Sequence, residues 1–141
     1  MIDKAIRVIL YTNVLIVSIP TKSKYRPIFD AILSGKLELV ISNDILNEYI
    51  EIIERKTNSY SIANNIGEAL LNSNYVLQTE VKFNWNLIEI DKDDNKFVDA
   101  YISGNANILV TNDKHFDVLE KINFPKVVLM NLDQFLELLT N

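Results

Sequence analysis

Short apolar runs alternate along this chain with stretches whose apolar positions recur at helical spacing. Ala5-Ile6-Arg7-Val8-Ile9-Leu10 is rich in β-branched residues and ends at Tyr11-Thr12-Asn13, the pattern of a strand buried on both faces. Arg26 to Ser34 reads as a helix closed by Gly35, with Pro27 tolerated in its first turn. Leu37 to Ile41 is a second strand. Ser42 then stands as an N-cap, Asp44 lies in the first turn, and Ile45, Leu46, Tyr49, Ile52 and Ile53 repeat with helical spacing as far as Arg55-Lys56. Beyond it the patterning predicts a helix over 62–71, a strand over 87–90, a helix over 94–103 closed by Gly104, and strands over 108–110 and 126–129. A last helix covers 132–139, with Leu132, Phe135, Leu136, Leu138 and Leu139 on its inward face.

Strands separated by helices predict an α/β fold with a mostly parallel sheet flanked by helices on both sides, because parallel neighbours need crossover connections. With 141 residues and no internal repeat, the chain reads as a single domain over 1–141. A domain of this size buries roughly 68–70% of the surface its unfolded chain exposes, enough to dispense with disulfides. The absence of cysteine agrees, and it excludes thiol catalysis and cysteine-held metals.

No apolar run reaches the ~20 residues of a membrane span. Asp3, Lys4 and Arg7 precede an apolar run that has no small-residue cleavage site, so a cytoplasmic protein without a signal peptide is expected. The net charge of −5 argues against nucleic-acid binding through bulk charge. A cation held by carboxylates would still allow local contact with phosphate.

In open α/β sheets ligands collect beyond the carboxyl ends of the strands. Acids dominate those positions here: Glu48 in the helix after the second strand, Asp93 and Asp94 after residue 90, and Asp113 in Thr111-Asn112-Asp113. Carboxylates converging on one crevice repel one another unless some are protonated or a cation neutralises them. Without cysteine or a histidine cluster, oxygen ligands suit Mg²⁺ or Mn²⁺. Each acid also has a structural reading. Glu48 lies at the edge of an apolar stripe, and Asp94 and Asp113 stand where N-caps stand. Asp99, five residues past Asp94, is turned by about 140° on an ideal helix and need not share its face. His115, the only histidine, reads as a surface residue, Lys96 and Lys114 as solvated charges or phosphate contacts, and Trp85 as a core or edge aromatic.

Four segments in this order resemble the PIN-domain endoribonucleases, in particular the VapC-like toxins of bacterial and archaeal toxin–antitoxin pairs. They are Arg7-Val8-Ile9-Leu10-Tyr11-Thr12-Asn13-Val14-Leu15, Ser42-Asn43-Asp44-Ile45-Leu46-Asn47-Glu48-Tyr49, Asp93-Asp94-Asn95-Lys96-Phe97-Val98-Asp99-Ala100 and Ile108-Leu109-Val110-Thr111-Asn112-Asp113. The resemblance implies a three-layer PIN-like fold and a metal-dependent ribonuclease. Glu48, Asp94 and Asp113 would be the catalytic acids holding Mg²⁺ or Mn²⁺, Asp99 a further metal ligand, and Asn13 and Thr111 supporting residues. The cation would activate water and offset charge on the phosphorus and the leaving oxygen. The implied partners are an RNA substrate, a cognate antitoxin protein and a second copy of the chain in a homodimer.

One position departs from the family pattern, which ends the first strand with Asp-Thr-Asn where this chain has Tyr11-Thr12-Asn13. A phenol with a pKa of about 10 is a poor Mg²⁺ ligand and bulkier than a carboxylate. Losing a direct ligand costs at least as much as the roughly 10–100-fold typical of outer-shell losses. An impaired ribonuclease is therefore expected; the alternative is a catalytically inactive PIN-like module that binds an antitoxin or RNA.

Overall fold

A computed structural model describes residues 5–141; Asp3 and Lys4 lie outside them. Five strands, β1 (Ile6–Leu10), β2 (Leu37–Ile41), β3 (Val76–Gln78), β4 (Ile108–Val110) and β5 (Leu129–Met130), form one sheet in the order β3-β2-β1-β4-β5. Every pairing is parallel. Six α-helices connect and flank them: α1 (Thr12–Ser18), α2 (Arg26–Ser34), α3 (Asn43–Thr57), α4 (Tyr60–Asn72), α5 (Asn95–Ser103) and α6 (Leu132–Thr140). Two 3₁₀ segments, Lys92–Asp94 and Lys114–Lys121, lead into α5 and follow β4. The α/β architecture expected from the alternation is the one observed.

The centre of the sheet is dry. Val8, Ile9 and Leu10 of β1 are fully buried, as are Leu109 and Val110 of β4 beside them, which is why these strands are continuous apolar runs. Caps and tight packing fix the helices. The Ser42 hydroxyl accepts the Ile45 N–H, and Gly35 ends α2 in the left-handed region (φ 83°). Gly104 ends α5 with its α-carbon against Val40; a Cβ there would lie 2.5 Å from Val40 Cγ1.

The structure differs from the sequence reading in four places. Leu87 to Ile90 is not a strand. Its buried member, Ile88, exchanges main-chain hydrogen bonds with a side chain: the Ile88 N–H donates to Asn95 Oδ1 and Asn95 Nδ2 donates to the Ile88 carbonyl, both at 2.9 Å. One amide replaces a neighbouring strand. The alternating stretch Lys126 to Leu129 joins β4 only at its end, where Val128 O accepts the Leu109 N–H before β5 itself. Two elements were not anticipated: the three-residue edge strand β3, and α1, which starts directly after Tyr11 with no side-chain cap.

β1 lies at the centre of the topology. From it the chain runs outward through β2 and β3, then returns to place β4 and β5 on the other side. The carboxyl ends of β1 and β4 therefore flank the point where crossovers diverge.

Candidate active site at the carboxyl ends of β1 and β4

Tyr11 extends β1 by one bond, its N–H donating to Val110 O at 3.0 Å. Its ring packs against Phe97 of α5 and Phe116 of the second 3₁₀ segment, with centroids 5.1 and 5.4 Å away. The phenol donates to Asp113 Oδ2 at 3.2 Å. Burial, and then the charges of Asp94, Asp113 and Glu48, push its pKa well above the ordinary value, so the hydroxyl stays protonated. Of the three predicted acids, Asp113 is bonded to this side chain and Glu48 to the hydroxyl of its neighbour Thr12.

Glu48 is placed by its neighbour on α3. Tyr49 is fully buried and its hydroxyl donates to Leu10 O, pinning the helix to the end of β1. Both Glu48 carboxylate oxygens are engaged: Oε2 accepts the Thr12 hydroxyl, and Oε1 lies 2.7 Å from Lys96 Nζ. Lys96 also lies 2.9 Å from Asp93 Oδ2 and donates to the Asp93 carbonyl. Burial alone would lower the Lys96 pKa, but Glu48 and Asp93 outweigh it and the net shift is upward. The bond from Lys96 in turn lowers the Asp93 pKa.

Asp94 and Asp113 both approach His115. Asp94 retains 4% exposure, and its side chain caps nothing. The cap of its 3₁₀ turn is Asp91, which accepts the Asp93 N–H at 3.1 Å. Burial, followed by the charges of Asp91 and Asp113, raises the Asp94 pKa to about 6 against the opposing pull of His115. Asp113 does cap, accepting the His115 N–H through Oδ1 at 2.9 Å, while its own N–H donates to Thr111 Oγ1 at 3.0 Å. His115 Nδ1 lies 3.5 Å from both Asp94 Oδ2 and Asp113 Oδ1.

Two openings lie beside these residues. A cavity of about 340 Å³ is lined by Tyr11, Asn13, Asn112 and Asp113. A groove of about 490 Å³ takes in Glu48, Asp93, Lys96 and Asp99. Asn13 is exposed at the first rim, and Thr111 is buried beneath Asp113. Asp99 is buried, accepts the Trp85 N–H at 2.9 Å, and has its pKa raised by burial. Trp85 itself stands in a surface aromatic trio, edge-to-face with Phe83 and Phe124. Sequence reasoning passed over Asp91 and took His115 for a surface residue. The one available signal was the Asp91-x-x-Asp94 spacing, since side chains three apart eclipse on a 3₁₀ turn.

A PIN-domain model matches residues 7–115, and the chain belongs to the PIN-domain family. Members are typically nucleases and generally use divalent metals. No curated protein matches the chain. Among solved structures, a chain of the VapBC2 complex from Rickettsia felis, bound to a DNA fragment from the promoter of that pair, is similar in fold. Its TM-score is 0.60 at 18% identity, over 89% of this chain and 98% of that one.

Proposed function

We propose that this chain is a VapC-like ribonuclease toxin by ancestry, built to hydrolyse RNA phosphodiester bonds with Mg²⁺ or Mn²⁺ at Glu48, Asp94 and Asp113, and impaired by Tyr11. The observation that carries this reading is the phenol itself. It donates to Asp113 Oδ2; the next residue in the chain, Thr12, holds Glu48; and the phenol stands where the family pattern has an acid. The donor set suits a hard cation: its ligands are oxygens, and Asp94 Oδ2 is buried without a partner. When bound, such a cation supplies positive charge to the phosphate and lowers the pKa of water.

The remaining roles fall to residues of the chain. Thr12 orients Glu48, and Thr111 holds the Asp113 main chain. Asn13 faces the opening through which a phosphate would approach, and Asp99 stands on the groove side as a further ligand. The protein would work in the cytoplasm, as a homodimer, with an antitoxin covering the crevice; the toxin–antitoxin complex of similar fold supports that partner.

A binding module without catalysis is the second reading. It is favoured by the way Tyr11 fills its place between Phe97 and Phe116 and occupies Asp113 Oδ2. Restoring the acid separates the two. Tyr11→Asp should gain RNA cleavage that depends on Mn²⁺ or Mg²⁺ and is lost with a chelator. If the variant folds, binds Mn²⁺ and cleaves nothing, the ribonuclease reading fails.

A further inference from the structure

The carboxylates already described leave two atoms unexplained. Asp94 Oδ2 and His115 Nδ1 are both buried without a hydrogen-bond partner, although they face each other at 3.5 Å. A histidine–carboxylate ion pair closes to about 2.7–2.9 Å, and an ordinary N–H···O bond to about 2.9–3.0 Å. Two donors bound to one tetrahedral ion behave differently: at about 2.1 Å from the centre, they lie about 3.4 Å apart. The observed gap has the second spacing; Asp113 Oδ1 lies equally far from Nδ1, but it already accepts the His115 N–H.

A third donor stands beside them. Ligand atoms of Asp91, Asp94 and His115 all lie within 4.8 Å of one another. The local folding places each one. Asp91 opens the 3₁₀ turn and Asp94 ends it, so their side chains share one side of the turn. Asp113 holds the His115 N–H, and this fixes the start of the segment that carries the imidazole.

We infer that Asp91, Asp94 and His115 form a mixed nitrogen–oxygen cation site that takes Zn²⁺, or a similar borderline transition ion, in preference to Mg²⁺. An imidazole is a favoured ligand for zinc, whereas Mg²⁺ requires near-octahedral oxygen coordination. Two carboxylates and one imidazole leave a fourth position open, as in zinc centres that act on a ligand. The inference rests on reading this crevice as a cation site, yet the set shares only Asp94 with Glu48, Asp94 and Asp113.

Because His115 is the only histidine, its ring protons give isolated NMR signals in the protein without a histidine tag. One equivalent of Zn²⁺ should shift them and one of Co²⁺ should displace or broaden them strongly, while one equivalent of Mg²⁺ should move them far less than Zn²⁺ does. By calorimetry, His115→Gln should weaken Zn²⁺ binding by at least about 100-fold, and Asp91→Asn comparably, with Mg²⁺ affinity unchanged in His115→Gln. Unmoved imidazole signals under Zn²⁺ would overturn the site. So would a His115→Gln variant that melts like the parent and binds Zn²⁺ as well as the parent does. Should Asp91→Asn fail to fold, the spectra of the unaltered chain decide alone. The ribonuclease reading is tested separately: cleavage by Tyr11→Asp with silent imidazole signals sinks only this site, and responsive signals without cleavage sink only that reading.

Discussion

The two sides of the crevice solve the same electrostatic problem by different means. On the α3 side, Glu48 and Asp93 share the ammonium of Lys96, and Thr12 satisfies the remaining Glu48 oxygen. On the β4 side, Asp113 accepts the Tyr11 hydroxyl and the His115 N–H, but among the described residues no lysine or arginine pairs with Asp94 or Asp113, and Asp94 Oδ2 and His115 Nδ1 stand 3.5 Å apart without hydrogen-bond partners. Protein interiors rarely leave such atoms unpaired unless the site has a use for them. One half thus carries its own cation, and the other has no paired ammonium or guanidinium among the described residues.

Tyr11 is the wedge between these halves, and replacing it should have the largest effect. Tyr11→Asp removes a ring packed on Phe97 and Phe116 and adds another carboxylate to the crevice. In a chelator-containing buffer the variant should lose about 3 kcal/mol, measured by urea denaturation. Saturating Mn²⁺ should return much of that by binding the folded state alone. A variant as stable as the parent without metal would mean that the phenol holds the halves together less than its contacts imply.

Lys96→Met comes next. The ammonium keeps 12% side-chain exposure and its Glu48 partner 20%, so removing it strands a largely buried carboxylate. A loss of about 2 kcal/mol is expected. Glu48→Gln in the same chain should recover part of it, and a double-mutant cycle on the denaturation midpoints measures how much. If the two losses simply add, the internal ion pair has no energetic meaning and the contrast between the halves weakens.

The β4 side should show itself through pH. Asp94 has its pKa raised from 3.8 to about 6 in the folded chain. Between those values the native state binds more protons than the unfolded one, so stability falls as pH rises through the window. Asp94→Asn removes that penalty. Metal-free, it should stabilise the protein by about 1–2 kcal/mol at pH 8 and leave stability unchanged near pH 3. The melting temperature followed from pH 3 to 8 checks the slope as well as the sign.

Much of this was legible in the chain, and the misses have local causes. β1, β2 and β4 are dense apolar runs, and Ser42 and Gly35 mark helix ends by chemistry that acts within a few residues. α1 hid because Val14, Ile16 and Val17 favour strands and Tyr11 offers no cap, while its helix is settled by packing, chiefly against α3 and α2. Strand periodicity over Leu87 to Ile90 would put Ile88 and Ile90 on one face, yet Ile88 is buried and Ile90 exposed, because the fold brings Asn95 to the Ile88 main chain. Glu48 and Asp113 do lie beyond the ends of β2 and β4, whereas Asp94 was placed after a strand that does not form. Lys96 and His115 did not, because their partners Glu48 and Asp94 lie 48 and 21 positions away in the sequence, and nothing local distinguishes a shared ammonium from a solvated one.

The smallest expected effect lies on the same helix as Glu48 and gives the contrast its scale. Glu51 pairs with Arg55 at 3.0 Å, one turn apart on α3, with 64% and 67% of the two side chains exposed. The partners are as close as those of the Lys96–Glu48 pair, but water surrounds them. Arg55→Met should cost about 0.3–0.5 kcal/mol, and 1 M salt should erase the difference. Lys96→Met should keep most of its loss at the same ionic strength, since salt screens a buried pair far less. Burial, more than ion-pair distance, would then decide which carboxylates of this chain need a cation. Equal salt sensitivity in the two variants would instead mean that water reaches Glu48 freely, and that the α3 half of the crevice is as open as the surface.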